Sequence, residues 1–324
     1  MIYLDNSATT KIFDEVLSQV NHTMLNNFAN SSALHKLAYQ SEQSNLKHQK
    51  IIASLLNARE DEIYFTSGGT ESNNLAIFGV CDAYKKLGNK IITTKIEHPS
   101  VFKCFQELEK RGFDVVYLNV DYKGYVNQDE LLSTIDDNTI FVSIVHVNNE
   151  VGTINDINNL ATLIKQKNKN VIFHTDAVQS FGKININTKN IDLLSTSGHK
   201  IHAQKGIGFL YIKNGVRVNS LMMGAGQQKG LRSGTINNEG ITGIATASQI
   251  AYDNLKENYE RVLNIKTELA KIKDELDGVH INGDEVNGIA YILSLSFDNI
   301  KGEVLVHALE DKDIIVSTGS ACSS

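Results

Sequence analysis

The residues best suited to chemistry in this 324-residue chain are a lysine, an aspartate, a small-residue turn and a thiol near the end. Lys200 stands in "STSGHKIHAQKGIGFLYI" (195 to 212), after an apolar run and a turn of small residues, with Ser197 and His199 as polar neighbours. A lysine at the rim of a sheet, partly out of water, can shed its proton and condense with a carbonyl to form a Schiff base. Asp176 ends the apolar run of "HTDAVQS" (174 to 180), where open α/β sheets place ligand-binding groups, and a carboxylate there can keep a protonated ring nitrogen cationic. Gln179, three residues on, is a second polar group for the same ligand. In "FTSGGTESNNLAI" (65 to 77) a strand gives way to a small-residue turn and a helix opened by Thr70 and Glu71. Such a turn aims backbone N–H groups from the positive end of the helix dipole and suits a phosphate. The same residues also read as a tight turn with Thr70 as helix N-cap, and Asp176 as a second N-cap. Together, phosphate turn, strand-end aspartate and strand-end lysine form the set an enzyme needs to hold pyridoxal phosphate. Cys322, in "IIVSTGSACSS" (314 to 324), has glycine and serine for neighbours, a poor setting for a packed structural thiol and a good one for a reactive thiol.

Something must hold these groups together. Short runs rich in Ile and Val alternate with amphipathic stretches, the pattern of an α/β fold. Strands are expected at 62 to 66, 90 to 95, 114 to 120, 139 to 147, 170 to 176, 192 to 197 and 207 to 212, most of them buried on both faces as parallel strands are. Helices are expected at 71 to 88 and 99 to 112, with Cys81 and Cys104 inside them as packing residues. After "GAGQQKGLRSGT" (224 to 235) the pattern changes to a long helix of about 238 to 276, a strand at 290 to 297, a short helix near 302 to 310 and a strand at 313 to 318. This reads as a smaller α+β lobe.

Composition narrows the function classes. The chain carries 31 Lys+Arg against 37 Asp+Glu, a net charge of -6 without a long basic run, so a nucleic-acid or anionic-membrane partner is not expected. No apolar run approaches the ~20 residues of a membrane span, and "MIYLDNSATT" has no signal-peptide pattern. The expected compartment is the cytoplasm. Three cysteines at 81, 104 and 322 have neither paired nor metal-ligand spacing, so no disulfide framework and no metal site are expected.

Several motifs in order make the chain recognisable: "YLDNSATT" (3 to 10), "TSGGTESNNLAI", "EHPSV" (97 to 101), "VHVNNEVGTIND" (145 to 156), "HTDAVQS", "SGHKIHAQKGIGFLY", "GAGQQKGLRSGT" and "STGSACSS". It resembles the class V aminotransferase superfamily of pyridoxal-phosphate enzymes and, within it, the cysteine desulfurases that feed iron-sulfur cluster and thiolation pathways. The resemblance implies the fold type I architecture of such transferases: a mostly parallel seven-stranded sheet with helices on both faces, plus a smaller α+β domain. It divides the chain into a large cofactor-binding domain, 13–255, and a small domain of 1–12 and 256–324. It implies pyridoxal 5'-phosphate as cofactor, with Lys200 as its covalent partner and Asp176 on the pyridinium nitrogen. It further implies that His98 stacks on the ring and moves protons, and that Gln179 bonds the phenolic oxygen. Gly69, Thr70, Ser197 and His199 would hold the phosphate, and Asn148 would lie beside cofactor and substrate carboxylate. Thr235 would reach the phosphate of a neighbouring subunit, which implies a two-fold homodimer. Cys322 aligns with the catalytic cysteine that takes the sulfur of L-cysteine as a persulfide, leaving L-alanine, and hands it to an acceptor protein of scaffold or tRNA-thiolation type.

The chain departs from the family in two respects. Family chains run on for several dozen residues past the cysteine, through an arginine that clamps the substrate carboxylate; here only Ser323 and Ser324 follow. The expectation is a chain lacking that C-terminal segment, with weaker substrate binding. Proline is missing from "SATTKI", "FANSSALH" (28 to 35) and "HKIHAQKG". The alternatives left open are a truncated or degenerate homologue that binds the cofactor with weak or no desulfurase activity, and another class V activity such as selenocysteine lyase or aminotransferase.

Overall fold

The computed structural model describes residues 1–319. Its centre is a seven-stranded sheet whose strands are β2 (Ile63–Thr66), β3 (Lys90–Thr94), β4 (Asp114–Leu118), β5 (Thr139–Ser143), β6 (Ile172–Asp176), β7 (Leu193–Ser195) and β8 (Gly208–Ile212), in the spatial order β2-β8-β7-β6-β5-β3-β4. Strands β3 to β7 are parallel; β8 runs antiparallel to both β7 and β2. Six of the seven strands therefore point the same way, and β8 alone is reversed.

Period-two alternation explains why both faces of this sheet are covered. Ile91, Phe141, Ile172, Leu193 and Leu210 enter one core, and their neighbours Ile92, Val142, Phe173, Leu194 and Phe209 enter the other. The first core is closed by α3 (Gly69–Tyr84) and α4 (Pro99–Lys110). The second is closed by α1 (Asp14–Asn26), α2 (Lys36–Leu55), α6 (Ile157–Lys167) and α7 (Asn238–Asp253). Helix α4 buries Val101, Cys104, Phe105 and Leu108, and α6 buries Ile157, Leu160, Ala161 and Ile164. Both sets follow the i, i+3, i+4, i+7 spacing of one helical face. A further helix, α5 (Gln128–Thr134), lies between β4 and β5.

Beyond α7 come α8 (Leu255–Ala270), α9 (Ile272–Glu275), β9 (Val279–Asn282), β10 (Ser294–Phe297), α10 (Gly302–Glu310) and β11 (Ile314–Ile315). Strands β9 and β10 form an antiparallel pair, and β11 pairs in parallel with β1 (Ile2–Tyr3), bringing residues 1–4 against the last strand. The expected single helix of 238 to 276 is thus three pieces. It breaks at Asn254, whose backbone (φ -110, ψ 15) leaves the helical region and whose side chain turns back to the Ile250 carbonyl. The expected strand at 290 to 297 starts only at Ser294, because Ile289 and Ile292 pack with Val147 in a small separate core.

Candidate active site

Five connections leave the carboxyl ends of aligned strands at one rim of the sheet. Residues 67–70 follow β2, 96–98 follow β3, Asn148 follows β5, the turn after Asp176 follows β6 and residues 197–200 follow β7. This is the position at which α/β sheets bind ligands.

The turn after β2 depends on two glycines. Helix α3 begins at Gly69 with Gly68 as N-cap, so Thr70 lies inside the first turn and the N-cap reading of that threonine is displaced by two residues. Gly68 has φ +153, and a Cβ on Gly69 would lie 2.7 Å from Val178 Cγ2. Side chains are thereby kept out of a cradle bordered by Ser197, whose Oγ lies 3.5 Å from the Cβ position of Gly68. Ser197 is buried and Thr70 exposed. The N-terminus of a 16-residue helix offers its unpaired N–H groups there.

Asp176 is held from two sides. Val178 N–H donates to Oδ1 at 2.9 Å, and Asn73 Nδ2 donates to Oδ2 at 2.7 Å. Asn73 also donates to Ser100 Oγ at 2.8 Å, linking α3, α4 and the aspartate. Lys200 sits at the end of a short 3-10 turn, Gly198–Lys200, and its Nζ donates to the Ala8 carbonyl at 2.8 Å and to that of Ser7. The same Ser7 carbonyl accepts from Gln179 Nε2 at 2.9 Å. The N-terminal "DNSATT" stretch thus closes over the lysine, with Thr10 bonded through its N–H and hydroxyl to the His199 carbonyl.

His98 is the N-cap of α4, just before Pro99 at the first helical position. Its Nδ1 accepts from Ser100 N–H at 3.1 Å, which assigns the ring proton to Nε2. Burial lowers its pKa, the Asp176 and Glu150 charges raise it and the Lys200 charge lowers it, with a net shift downwards. Three charged site groups therefore act on one imidazole. His199, bonded through Nδ1 to Thr9 Oγ1 at 3.1 Å, is pushed down to about 4 by burial and then by the Lys200, Lys205 and Lys183 charges. Asn148 is held at both ends of its amide: Oδ1 accepts from Glu150 and Val151 N–H, and Nδ2 donates one hydrogen to the Ile96 carbonyl at 3.0 Å. It ties the 148–152 turn to the loop carrying His98.

Thr235 lies exposed between Arg232, which pairs with Glu71 of α3 at 2.8 Å, and Asn237, the N-cap of α7. Cys322 lies outside the described residues. Gly319, the last of these, comes close to the site: a Cβ on it would lie 3.1 Å from Glu150 Oε2.

Sequence reasoning missed Asn73, Ser100, Glu97 and Lys183. Glu97 is buried, with Oε1 taking Thr94 Oγ1 and Val145 N–H, and burial pushes its carboxyl up to about 8. An amide at 73 among the mostly apolar positions of its helix and a lysine at 183 directly after "SFG" are the signals that were available. Among the described residues no His, Cys, Asp and Glu cluster could hold a metal ion, and no helix is long and apolar enough to cross a membrane.

The donor set fits pyridoxal phosphate on its own chemistry: a glycine-lined helix N-terminus for a dianion, a buried carboxylate for a ring nitrogen, an amine for an aldehyde. Comparison with known proteins agrees. The "Aminotransferase class-V" family matches residues 2–324. The chain is 43% identical to a Clostridium botulinum protein named "Cysteine desulfurase IscS", over all of this chain and 82% of that one. Its structure is similar to that of a "NIFS-LIKE PROTEIN" (TM-score 0.95, 38% identity, 98% of this chain and 87% of the other). It is also similar to "SspA in complex with cysteine" (TM-score 0.86, 33% identity, 99% and 90%).

Proposed function

Given that this chain belongs to the class-V aminotransferase family, we propose that it is a cysteine desulfurase whose chemistry is carried by Lys200, Asp176, His98 and Cys322. Pyridoxal phosphate is its cofactor, and L-cysteine is its substrate. What supports the assignment of residues is their common place at the carboxyl rim, where Gln179 and Lys200 donate to one Ser7 carbonyl and Asp176, pinned by Val178 N–H and Asn73, is tied through Asn73 and Ser100 to His98.

When bound, pyridoxal phosphate supplies an electron sink for the pair left at the substrate Cα. Lys200 is kept at the rim by the Ser7 and Ala8 carbonyls, so its amine is oriented before any ligand arrives. Asp176 is pinned by Val178 N–H and Asn73 and holds a fixed negative charge for a protonated ring nitrogen. Gly69, Thr70, Ser197 and His199 would hold the phosphate. His98 presents Nε2–H to the site as a hydrogen-bond donor, and burial, the largest influence on it, lowers its pKa and favours the neutral ring. The Cys322 thiolate attacks the substrate sulfur; the C–S bond breaks, the carbon takes the electron pair and a proton, and alanine leaves while the enzyme keeps the persulfide. Only the thiolate is a competent nucleophile for this step.

The reading extends to a two-fold homodimer in which Thr235 faces the partner's phosphate. Exposed Leu25, Phe28, Leu34 and Tyr39 in and between α1 and α2 supply apolar surface for such contact. It extends also to a large domain, 13–255, joined to a small one, 1–12 and 256–324, to a cytoplasmic location, and to a protein acceptor for the sulfur.

Incubation with L-cysteine without reductant, followed by alanine assay and intact-mass measurement, tests this. The expected result is alanine release and a gain of one sulfur atom per chain, absent in Cys322→Ser, which keeps the visible absorbance of the cofactor. A colourless parent protein contradicts the reading.

A further inference from the structure

Lys183 is 7% exposed and stands on no strand or helix of the site. It follows Gly182, whose φ of +73 allows the turn to press against Ile201, the residue after Lys200; a Cβ on Gly182 would lie 2.8 Å from Ile201 Cγ2. The Lys183 Nζ donates to Gln179 Oε1 at 2.8 Å and lies 5.8 Å from the centre of the Tyr291 ring. Among the described residues no carboxylate pairs with it. A buried cation normally has a counter-charge, because taking it out of water unpaired is costly. Here its neighbours are the Gln179 amide and the Tyr291 ring.

The amide explains what the lysine does. Glutamine has one accepting end and one donating end, which can exchange places by a simple flip, and an ammonium is a donor only. Oxygen must therefore face Lys183. The NH2 end is then forced towards the Ser7 carbonyl, which it meets at 2.9 Å and which also accepts from Lys200. Ser7 takes one amide hydrogen, and the second is the donor the site can offer an oxygen anion.

We propose that Lys183 is a positioning residue for the cofactor: by fixing the oxygen of Gln179 it commits the amide's NH2 edge, and its own positive charge behind it, to the phenolic oxygen of pyridoxal phosphate. This rests on the reading of the site given above. Burial and the Lys200 charge hold Lys183 down to about 7; an anionic oxygen across the amide favours its charged form. The groups whose charges reach Lys183, or are reached by it, are Lys200, His199 and His202, with the Tyr291 ring on the remaining side.

The test is the pH titration of the bound cofactor's visible absorbance, in the holoenzyme without substrate. Removing a donor and a cation that favour the deprotonated oxygen raises the pH midpoint. Lys183→Met is expected to raise it by roughly one unit, and Lys183→Arg, still a donor-only cation, to stay near the parent. Gln179→Met should raise it similarly, and the Gln179→Met/Lys183→Met double variant should rise by less than the sum of the two single shifts, since with the amide gone only the charge of Lys183, and not its orienting role, is left to lose. A parental midpoint in Lys183→Met, or fully additive shifts in the double variant, would overturn the proposal. Should Lys183→Met fail to fold, Lys183→Gln takes its place: its amide can donate or accept, so a raised midpoint supports the proposal and a parental one overturns it. A coloured parent with an unmoved midpoint sinks only the role of Lys183; a parent without visible absorbance sinks the site reading too.

Discussion

The middle of the seven-stranded sheet and its carboxyl rim both bury polar side chains, yet they bury them differently. In the middle, His174 on β6 bonds Ser143 Oγ of β5 at 2.8 Å and Ser195 Oγ of β7 at 2.9 Å, so both ring nitrogens are satisfied within the sheet. Lys165 meets Asp192, and the same Asp192 oxygen accepts from Phe173 N–H. Two strands on, at the rim, His98 is bonded through one nitrogen and sits among the charges of Asp176, Lys200 and Glu150. Lys183 is buried with an amide and a ring for company. Closed polar sets hold strands together; sets left open on one side wait for a ligand.

The largest test of this contrast exchanges the two lysines. Lys200→Ala should abolish both visible absorbance and alanine formation while the fold persists. Lys165→Met should leave the chemistry intact but strand Asp192, at a cost of about 3 kcal/mol in denaturant unfolding. Equal losses of activity from the two would erase the distinction.

Histidines sharpen it next. His98→Ala should lower kcat by about 10² to 10⁴-fold with a near-parental melting temperature. His174→Ala should do the reverse, lowering the melting temperature because Ser143 and Ser195 lose their partner.

Thiols give a simpler count. Cys81 and Cys104 are buried in the α3–α4 core, and burial raises both thiol pKa values. Iodoacetamide applied to the native protein should therefore label Cys322 alone among the three, and all three after denaturation; early labelling of Cys104 would show that core to be looser than described.

The last test is of acid stability. Burial first of all holds His146 and His199 down to about 4 and His174 to about 3. Their folded pKa values lie below the unfolded one near 6.5, so the unfolded chain binds more protons in between. Stability is full above about 6.5 and falls as pH drops towards 4, by about 1.4 kcal/mol per unit for each such histidine. Replacing His174 by Gln should flatten that slope. Glu97 acts in the opposite sense: its carboxyl is raised to about 8, so its contribution is present at low pH and lost as pH rises through 8.

The strands were legible because burial on both faces writes continuous apolar runs, and all seven expected spans cover the carboxyl ends of their observed strands. The order of phosphate turn, aspartate and lysine was legible for the same reason, since each motif follows a strand. Other features depend on what the chain meets in space. Nothing local marks Asn254 as the break between α7 and α8. The apolar "AYI" before β10 packs as a turn against Val147, although its residues suit a strand. Asn73 and Lys183 acquire meaning only when α3 and the 180–183 turn are laid against Asp176 and Gln179.

The central claim is that the amine at the sheet rim is the one that joins the cofactor. Borohydride reduction of the native holoenzyme followed by peptide mapping tests it directly, because Lys183, joined through Gln179 to the Ser7 carbonyl that Lys200 also meets, is a second amine beside the site. The account predicts the reduced cofactor on the peptide carrying Lys200 and none on that carrying Lys183; attachment at Lys183, or at any surface lysine in preference, would contradict it.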